Sequence, residues 1–181
     1  MPRILLLYAT IEGQTALIAD RMALTLRNLG HGVDLLSAQT AGEALDPGRY
    51  DGVIIAASIH YENHPRYLRA LVRKHLSAIA TRPSAFFSVS LSAGGRNPNL
   101  KEARRNRDRF LRQTGWQPEL TETIAGALKW SLYGPFKRLA MLFFVKLVGG
   151  DTDRSRDYEY TDWTQVERLA SDFADLLKPK V

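Results

Sequence analysis

The six residues Thr10-Ile11-Glu12-Gly13-Gln14-Thr15 are of the types from which an anion site can be made without a lysine. A glycine lets the backbone turn closely, so that successive N–H groups can converge on one point. The hydroxyls of Thr10 and Thr15 can donate further hydrogen bonds, and a helix starting here adds the positive end of its dipole. The spacing matches neither the Gly-Lys-Ser/Thr ending of a nucleotide loop nor a Gly-x-Gly-x-x-Gly dinucleotide turn. Alone, the six residues read equally well as a capped helix start. Their place directly after a buried strand makes them a phosphate loop.

Other chemistry is bounded by composition. The absence of cysteine excludes disulfides, thiolate nucleophiles and Cys-ligated metal centres, and fits a reducing, cytoplasmic setting. His31, His60, His64 and His75 show no metal-ligand spacing, so no metal is expected, and no side chain declares itself a general base. The 25 Lys+Arg against 19 Asp+Glu give +6 and a pI near 9.7, which suits an anionic partner without choosing among nucleic acid, phospholipid and an acidic small molecule. The first apolar run, Ile4–Tyr8, is too short for a signal peptide and reads as a buried strand. The run 139–148 contains Lys146 and falls short of the ~20 residues of a membrane span.

The elements that must position the loop follow from the alternation of short apolar runs with segments of helical period. Strands are expected over 4–8, 33–36, 52–57, 85–89 and about 121–127. Helices are expected over 13–29, 65–80, 99–114 and 162–177, closed by Gly30 and Gly115 and opened by Pro65, Asn99 and Asp162 with Gln165 three residues on. The 38–50 connection reads as irregular. This order predicts an α/β fold: a flavodoxin-like, doubly wound, five-stranded parallel sheet of order 2-1-3-4-5 in a single domain. Residues 128–160 do not fit it and read as an insertion before the last helix.

Two further segments fall where that fold places flavin-ring loops: Ser58-Ile59-His60-Tyr61 after the third strand and Ser90-Leu91-Ser92-Ala93 after the fourth. With Gly13-Gln14-Thr15, Ala57-Ser58-Ile59-x-Tyr61, 83–89, Ala125-Gly126-Ala127-Leu128, 149–153 and Tyr160-Thr161-Asp162-Trp163 in this order, nearly the whole chain resembles the bacterial FMN-dependent, quinone-linked protoporphyrinogen IX dehydrogenases. The resemblance implies FMN as cofactor, with its phosphate held by Thr10, Ile11, Glu12, Gly13, Gln14 and Thr15. It implies that Ser58, Ile59, His60 and Tyr61 line one side of the flavin and Ser90, Leu91, Ser92 and Ala93 another, Tyr61 offering an aromatic face. One position departs from the family pattern: Glu62 stands where a glycine is expected, and a non-Gly residue makes a positive φ there costlier.

The remaining signals concern partners. Between Thr123 and Gly150 there is no acidic residue, while Lys129, Lys137, Arg138 and Lys146 sit among aromatic and aliphatic side chains. A helix from Gly134-Pro135 to Val148 would be apolar nearly all round and need burial on more than one side, against the sheet and against lipid, a subunit or a large apolar ligand. Arg96, just before the 99–114 helix, with Lys101, Arg104, Arg105, Arg107, Arg109 and Arg112 on it, against Glu102 and Asp108, give this cluster a local charge of +5. That helix reads first as a solvated face. The resemblance gives both clusters a use, since protoporphyrinogen IX presents two propionates on an apolar macrocycle.

The function implied is oxidation of protoporphyrinogen IX to protoporphyrin IX in haem biosynthesis, in three two-electron rounds, with electrons passed to a membrane quinone. The expected site is the inner face of the cell membrane, reached peripherally through the basic apolar insert, and a homo-oligomer is left open. The rivals are a flavodoxin-type electron carrier or NAD(P)H:quinone oxidoreductase on the same fold, and a nucleic-acid-binding module using the arginine helix. The last lacks a recognisable motif, so no nucleic acid is expected as a partner.

Overall fold

The computed structural model describes residues 1–42, 45–134, 139, 142, 153 and 155–178. Strand β1 (Arg3–Ala9) buries Ile4, Leu5, Leu6 and Leu7 completely. β3 (Gly52–Ser58) and β4 (Ser84–Ser90) are buried along nearly their whole length, as central strands of a parallel sheet covered on both faces must be. β2 (Gly32–Ser37) and β5 (Leu120–Ala125) complete the expected parallel order β2-β1-β3-β4-β5.

The period of two along each strand divides the core. Ile4, Leu6, Ile54, Ala56, Phe87 and Ile124 meet Ile18, Met22 and Leu26 of α1 (Gln14–Asn28) and Val166, Leu169 and Phe173 of α5 (Trp163–Leu176). On the other face Leu5, Leu7, Val53, Ile55 and Phe86 meet α2 (Arg66–Lys74), α3 (Leu76–Ala80) and α4 (Leu100–Thr114) through Leu68, Val72, Ile79 and Phe110. α1 closes where Gly30, at φ 91, donates to the Arg27 carbonyl at 2.9 Å while His31 N–H reaches Leu26 at 3.1 Å. The Asn99 side chain caps α4 by accepting from Glu102 N–H at 3.0 Å.

Three expectations are corrected. The helix expected over 65–80 is two, because His75 leaves helical geometry at φ −107, ψ 13; the bend keeps Leu76 and Ile79 on the same apolar cluster as Leu68 and Val72. Gln165 does not close a capping box. Asp162 Oδ1 already accepts from Thr164 and Gln165 N–H at 3.0 and 3.1 Å, and Gln165 Nε2 donates to the Thr123 carbonyl at 3.3 Å. The fifth strand stops at Ala125, since Gly126 N–H turns to the Ser90 carbonyl at 3.0 Å.

Beyond Gly126 the chain starts a short hairpin that the sequence did not announce. β6 (Ala127–Leu128) pairs antiparallel with β7 (Tyr158–Glu159), and a 3-10 turn over Trp130–Leu132 follows β6. Leu128, Trp130 and Tyr133 form a buried cluster with Tyr158 and Tyr160 beside it. Of the helix expected from Gly134-Pro135 to Val148, Gly134, Leu139 and Leu142 are described, and the rest, with Lys137, Arg138 and Lys146, lies outside the described residues.

Candidate functional site

The strand order reverses between β1 and its two neighbours, so the carboxyl ends of β1 and β3 open the crevice in which such sheets hold ligands. Three loops converge there. The first leaves β1 at Thr10, whose Oγ1 accepts from Gly13 N–H at 2.9 Å. Gly13 is the N-cap of α1 at φ 87, ψ −16, a left-handed conformation that a side chain would strain.

Gln14 and Thr15 then enter the helix buried, at 5% and 0% exposure. Their N–H groups have no acceptor within the helix, as at every helix start. Gln14 Nε2 donates to Thr161 Oγ1 at 3.0 Å, and that hydroxyl donates to the Ala125 carbonyl at 2.8 Å. The Gln14 Oε1 and Thr15 Oγ1 atoms are buried with no hydrogen-bond partner among the described residues. A buried polar atom left so costs about 1–3 kcal/mol, so the Thr15 hydroxyl is placed to gain from an acceptor brought by a ligand. Ile11 is half exposed at the rim. Glu12 turns sideways to accept from the Tyr133 hydroxyl at 2.8 Å.

The second loop leaves β3. Ser58 Oγ donates to the Ala9 carbonyl at 3.3 Å and Ile59 N–H to Val89 at 2.9 Å, which holds this loop to the ends of β1 and β4. His60 and Asn63 exchange both backbone hydrogen bonds, at 2.9 and 3.1 Å. The two residues between them, Tyr61 and Glu62, stand at φ 47 and 59, the φ signature of a type I′ turn. The turn thus takes positive φ with no glycine. It is held by Asn63 Nδ2 donating to the Tyr61 carbonyl at 2.9 Å and Arg109 Nη1 to the Glu62 carbonyl at 3.0 Å. Tyr61 stands 82% exposed against the edge of the His60 ring.

The third loop leaves β4 at Ser90, whose buried Oγ also has no partner among the described residues. Leu91–Ala93 form a 3-10 turn, fixed by Ser92 Oγ donating to Glu102 at 3.0 Å and by Asn99 N–H reaching the Ser92 carbonyl at 2.7 Å. At Gly94 a Cβ would come within 2.7 Å of both Ala125 and Tyr160 Cβ atoms, so this loop rests directly on β5 and the returning strand. Outside it, between α4, β5 and α5, lies an open cleft of about 460 Å³ that includes Arg104, Tyr160 and Gln165.

His64 lies in the loop before α2, as its sequence position suggests, but its ring does not face solvent. It is buried beside Phe86 and Phe110, 3.0 Å from Ser88 Oγ, and burial pushes its pKa down to about 3. His60 remains in the second loop, half buried. The structure adds residues that sequence reasoning did not place at the site. Thr161 and Tyr133 bond to the first loop, and Lys129 ends with its Nζ 3.9 Å from where a Cβ on Gly13 would stand. For Lys129 the available signal was its place just beyond the expected fifth strand, and for Thr161 its place in the Tyr160-Thr161-Asp162-Trp163 segment; Tyr133 carried none.

Comparison with known proteins agrees with this architecture. The flavodoxin domain family matches residues 5–155. The chain is 36% identical over 176 residues to a Leishmania major protein named protoporphyrinogen IX dehydrogenase (quinone), covering 97% of this chain and 76% of that one. It is 35% identical over 174 residues to the Escherichia coli K12 protein of the same name, covering 95% and 94%. Among solved structures, oxidised flavodoxin 1 of Bacillus cereus superposes with a TM-score of 0.57 at 15% identity over 99% of both chains. A flavodoxin of Pseudomonas aeruginosa reaches 0.60 at 12% identity over 98% and 99%; these two likenesses bear on the fold alone.

Proposed function

Because the chain belongs to the flavodoxin domain family, and within it to the quinone-linked protoporphyrinogen IX dehydrogenases, we propose that it oxidises protoporphyrinogen IX with FMN as cofactor and a quinone as acceptor. The observation that carries the FMN reading is the Thr15 hydroxyl, wholly buried and without a partner among the described residues, under a left-handed Gly13 at the start of α1. A phosphate fits that cradle, since it would accept from the hydroxyl and the first N–H groups of the helix together. Thr10, Ile11, Glu12, Gly13, Gln14 and Thr15 hold the phosphate in this reading. Ser58, Ile59, His60 and Tyr61 form one wall of the ring site and Ser90, Leu91, Ser92 and Ala93 the other.

When bound, FMN supplies the two-electron redox chemistry. The chain's own residues bind and orient. The exposed Tyr61 ring offers a face for stacking, Ser90 Oγ is free to bond a ring edge, and the turn at 61–62 is stiffened by Arg109. The arginines of α4 are suited to the substrate's carboxylates. The basic, apolar stretch from Lys129 to Val148 suits a membrane surface and a hydrophobic acceptor. No helix among the described residues is long and apolar enough to cross a membrane, so association is peripheral in this reading, with 128–160 an insertion in one domain.

The test is an anaerobic assay of the purified, FMN-loaded protein with protoporphyrinogen IX and a quinone, read by porphyrin fluorescence. Fluorescence appearing with quinone alone is expected. Failure of the protein to hold FMN, or turnover only when NADPH is added, overturns the proposal. Sedimentation with anionic vesicles tests the membrane role, which charge reversal at Lys137, Arg138 and Lys146 should abolish.

A further inference from the structure

The phosphate loop itself carries no lysine or arginine, yet a cation reaches it from elsewhere in the chain. Lys129 follows β6 directly, and its Nζ lies 3.9 Å from the position of a Cβ on Gly13. Its backbone is fixed on both sides. Leu128 pairs with Tyr158, the Lys129 carbonyl accepts from Leu132 N–H at 3.1 Å, and Leu128, Trp130 and Tyr133 are buried together. The stem is half buried, and among the described residues no carboxylate forms an ion pair with the ammonium. Glu12, the acid of the loop, has its Oε2 engaged by the Tyr133 hydroxyl at 2.8 Å.

We infer that Lys129 is a phosphate-binding residue, delivered by the segment after β5 onto the loop at Gly13, and that it makes the site select a phosphorylated flavin over the unphosphorylated one. The inference rests on the FMN reading above. A phosphate on the N-terminus of α1 brings about two negative charges to N–H and O–H dipoles that carry only partial charge. Lys129 supplies a full positive charge beside Gly13. It does so without requiring the loop to change, in contrast to nucleotide loops whose lysine lies within the loop itself. A riboflavin, lacking the phosphate, makes no use of it.

Fluorescence-quenching titrations of the full chain with FMN and with riboflavin test this in the wild type, Lys129→Gln, Lys129→Arg and the control Lys74→Gln at the exposed end of α2. Loss of one charge-assisted hydrogen bond is expected to weaken FMN roughly tenfold or more, with riboflavin unchanged. Lys129→Arg should retain most of the FMN affinity, and Lys74→Gln all of it. The salt dependence of FMN binding should be shallower in Lys129→Gln. Equal FMN affinity in the wild type and Lys129→Gln, or a parallel loss of FMN and riboflavin, overturns the role of Lys129 while leaving the FMN reading intact. A wild-type protein that binds neither flavin overturns both.

Discussion

The Tyr133 hydroxyl donates to the Glu12 carboxylate at 2.8 Å, joining the segment after β5 to the phosphate loop at the other end of the chain. The Tyr133 pKa is raised, first by burial and then by the hydrogen bond and charge of Glu12. A tyrosine whose folded pKa lies above its unfolded value keeps its proton while the unfolded chain loses one. Its contribution to stability is therefore complete below about pH 10 and declines as pH rises through the range above it. In a spectrophotometric titration, Tyr133→Phe should remove a phenolate that appears only at the alkaline end or on unfolding. Loss of one that titrates near the ordinary tyrosine value would contradict the contact.

His64 sets the opposite limit of pH. Buried between Phe86 and Phe110, its pKa is pushed down to about 3, so the folded protein holds it neutral where an unfolded chain would protonate it. Stability must then fall as pH drops below about 6.5 and keep falling towards pH 3, at roughly 1.4 kcal/mol per pH unit. Between pH 6.5 and 5 the loss should be about 2 kcal/mol. Urea unfolding at several pH values should show this slope in the wild type and a shallower one in His64→Gln. Equal slopes would assign the acid sensitivity to other groups.

Thr15→Val should have effects of opposite sign on folding and on binding. The hydroxyl is buried with no partner among the described residues, so replacing it by a methyl of similar shape removes a desolvated polar atom and should leave the ligand-free protein as stable or more stable, by up to ~1 kcal/mol. Binding of FMN should weaken by about tenfold, the cost of one hydrogen bond to a charged acceptor. Thermal melts of the apoprotein and flavin titration together check it. A destabilised apoprotein with unchanged flavin affinity would mean that the hydroxyl serves the fold instead.

What was legible in the sequence was whatever depends on local pattern. The apolar runs at 4–8, 52–57 and 85–89 could only be strands covered on both faces, and Gly13 after the first of them located the loop that strand order places at the crevice. Contacts between segments distant in sequence were not legible. Nothing in the type or spacing of Tyr133 or Thr161 indicates that they bond to Glu12 and Gln14, because those partners are chosen by the hairpin of β6 and β7. Two-residue strands leave no periodicity to read. His64 misled for a related reason, since its flanks, Asn63 and Pro65, are loop residues while its ring is drawn inward by Ser88 and two phenylalanines.

Glu62 is the point where local preference and observed backbone disagree. It stands at φ 59 beside Tyr61 at φ 47, in a turn that favours Asn-Gly, and the left-handed region costs a residue with a Cβ roughly 1–2 kcal/mol. Arg109 holds the turn through the Glu62 carbonyl at 3.0 Å, a bond that any residue at position 62 retains. The contact of Arg109 with the Glu62 carboxylate is long, at 3.9 Å, and exposed on the Glu62 side, and so contributes little. Relief of strain should then outweigh both the lost ion pair and the greater freedom of glycine in the unfolded chain. Glu62→Gly should raise stability by about 0.5–1 kcal/mol, whereas Glu62→Val should lower it by at least as much. Chemical unfolding of the two variants ranks them directly; a destabilised glycine variant would show that the carboxylate, not the main chain, secures this turn against α4.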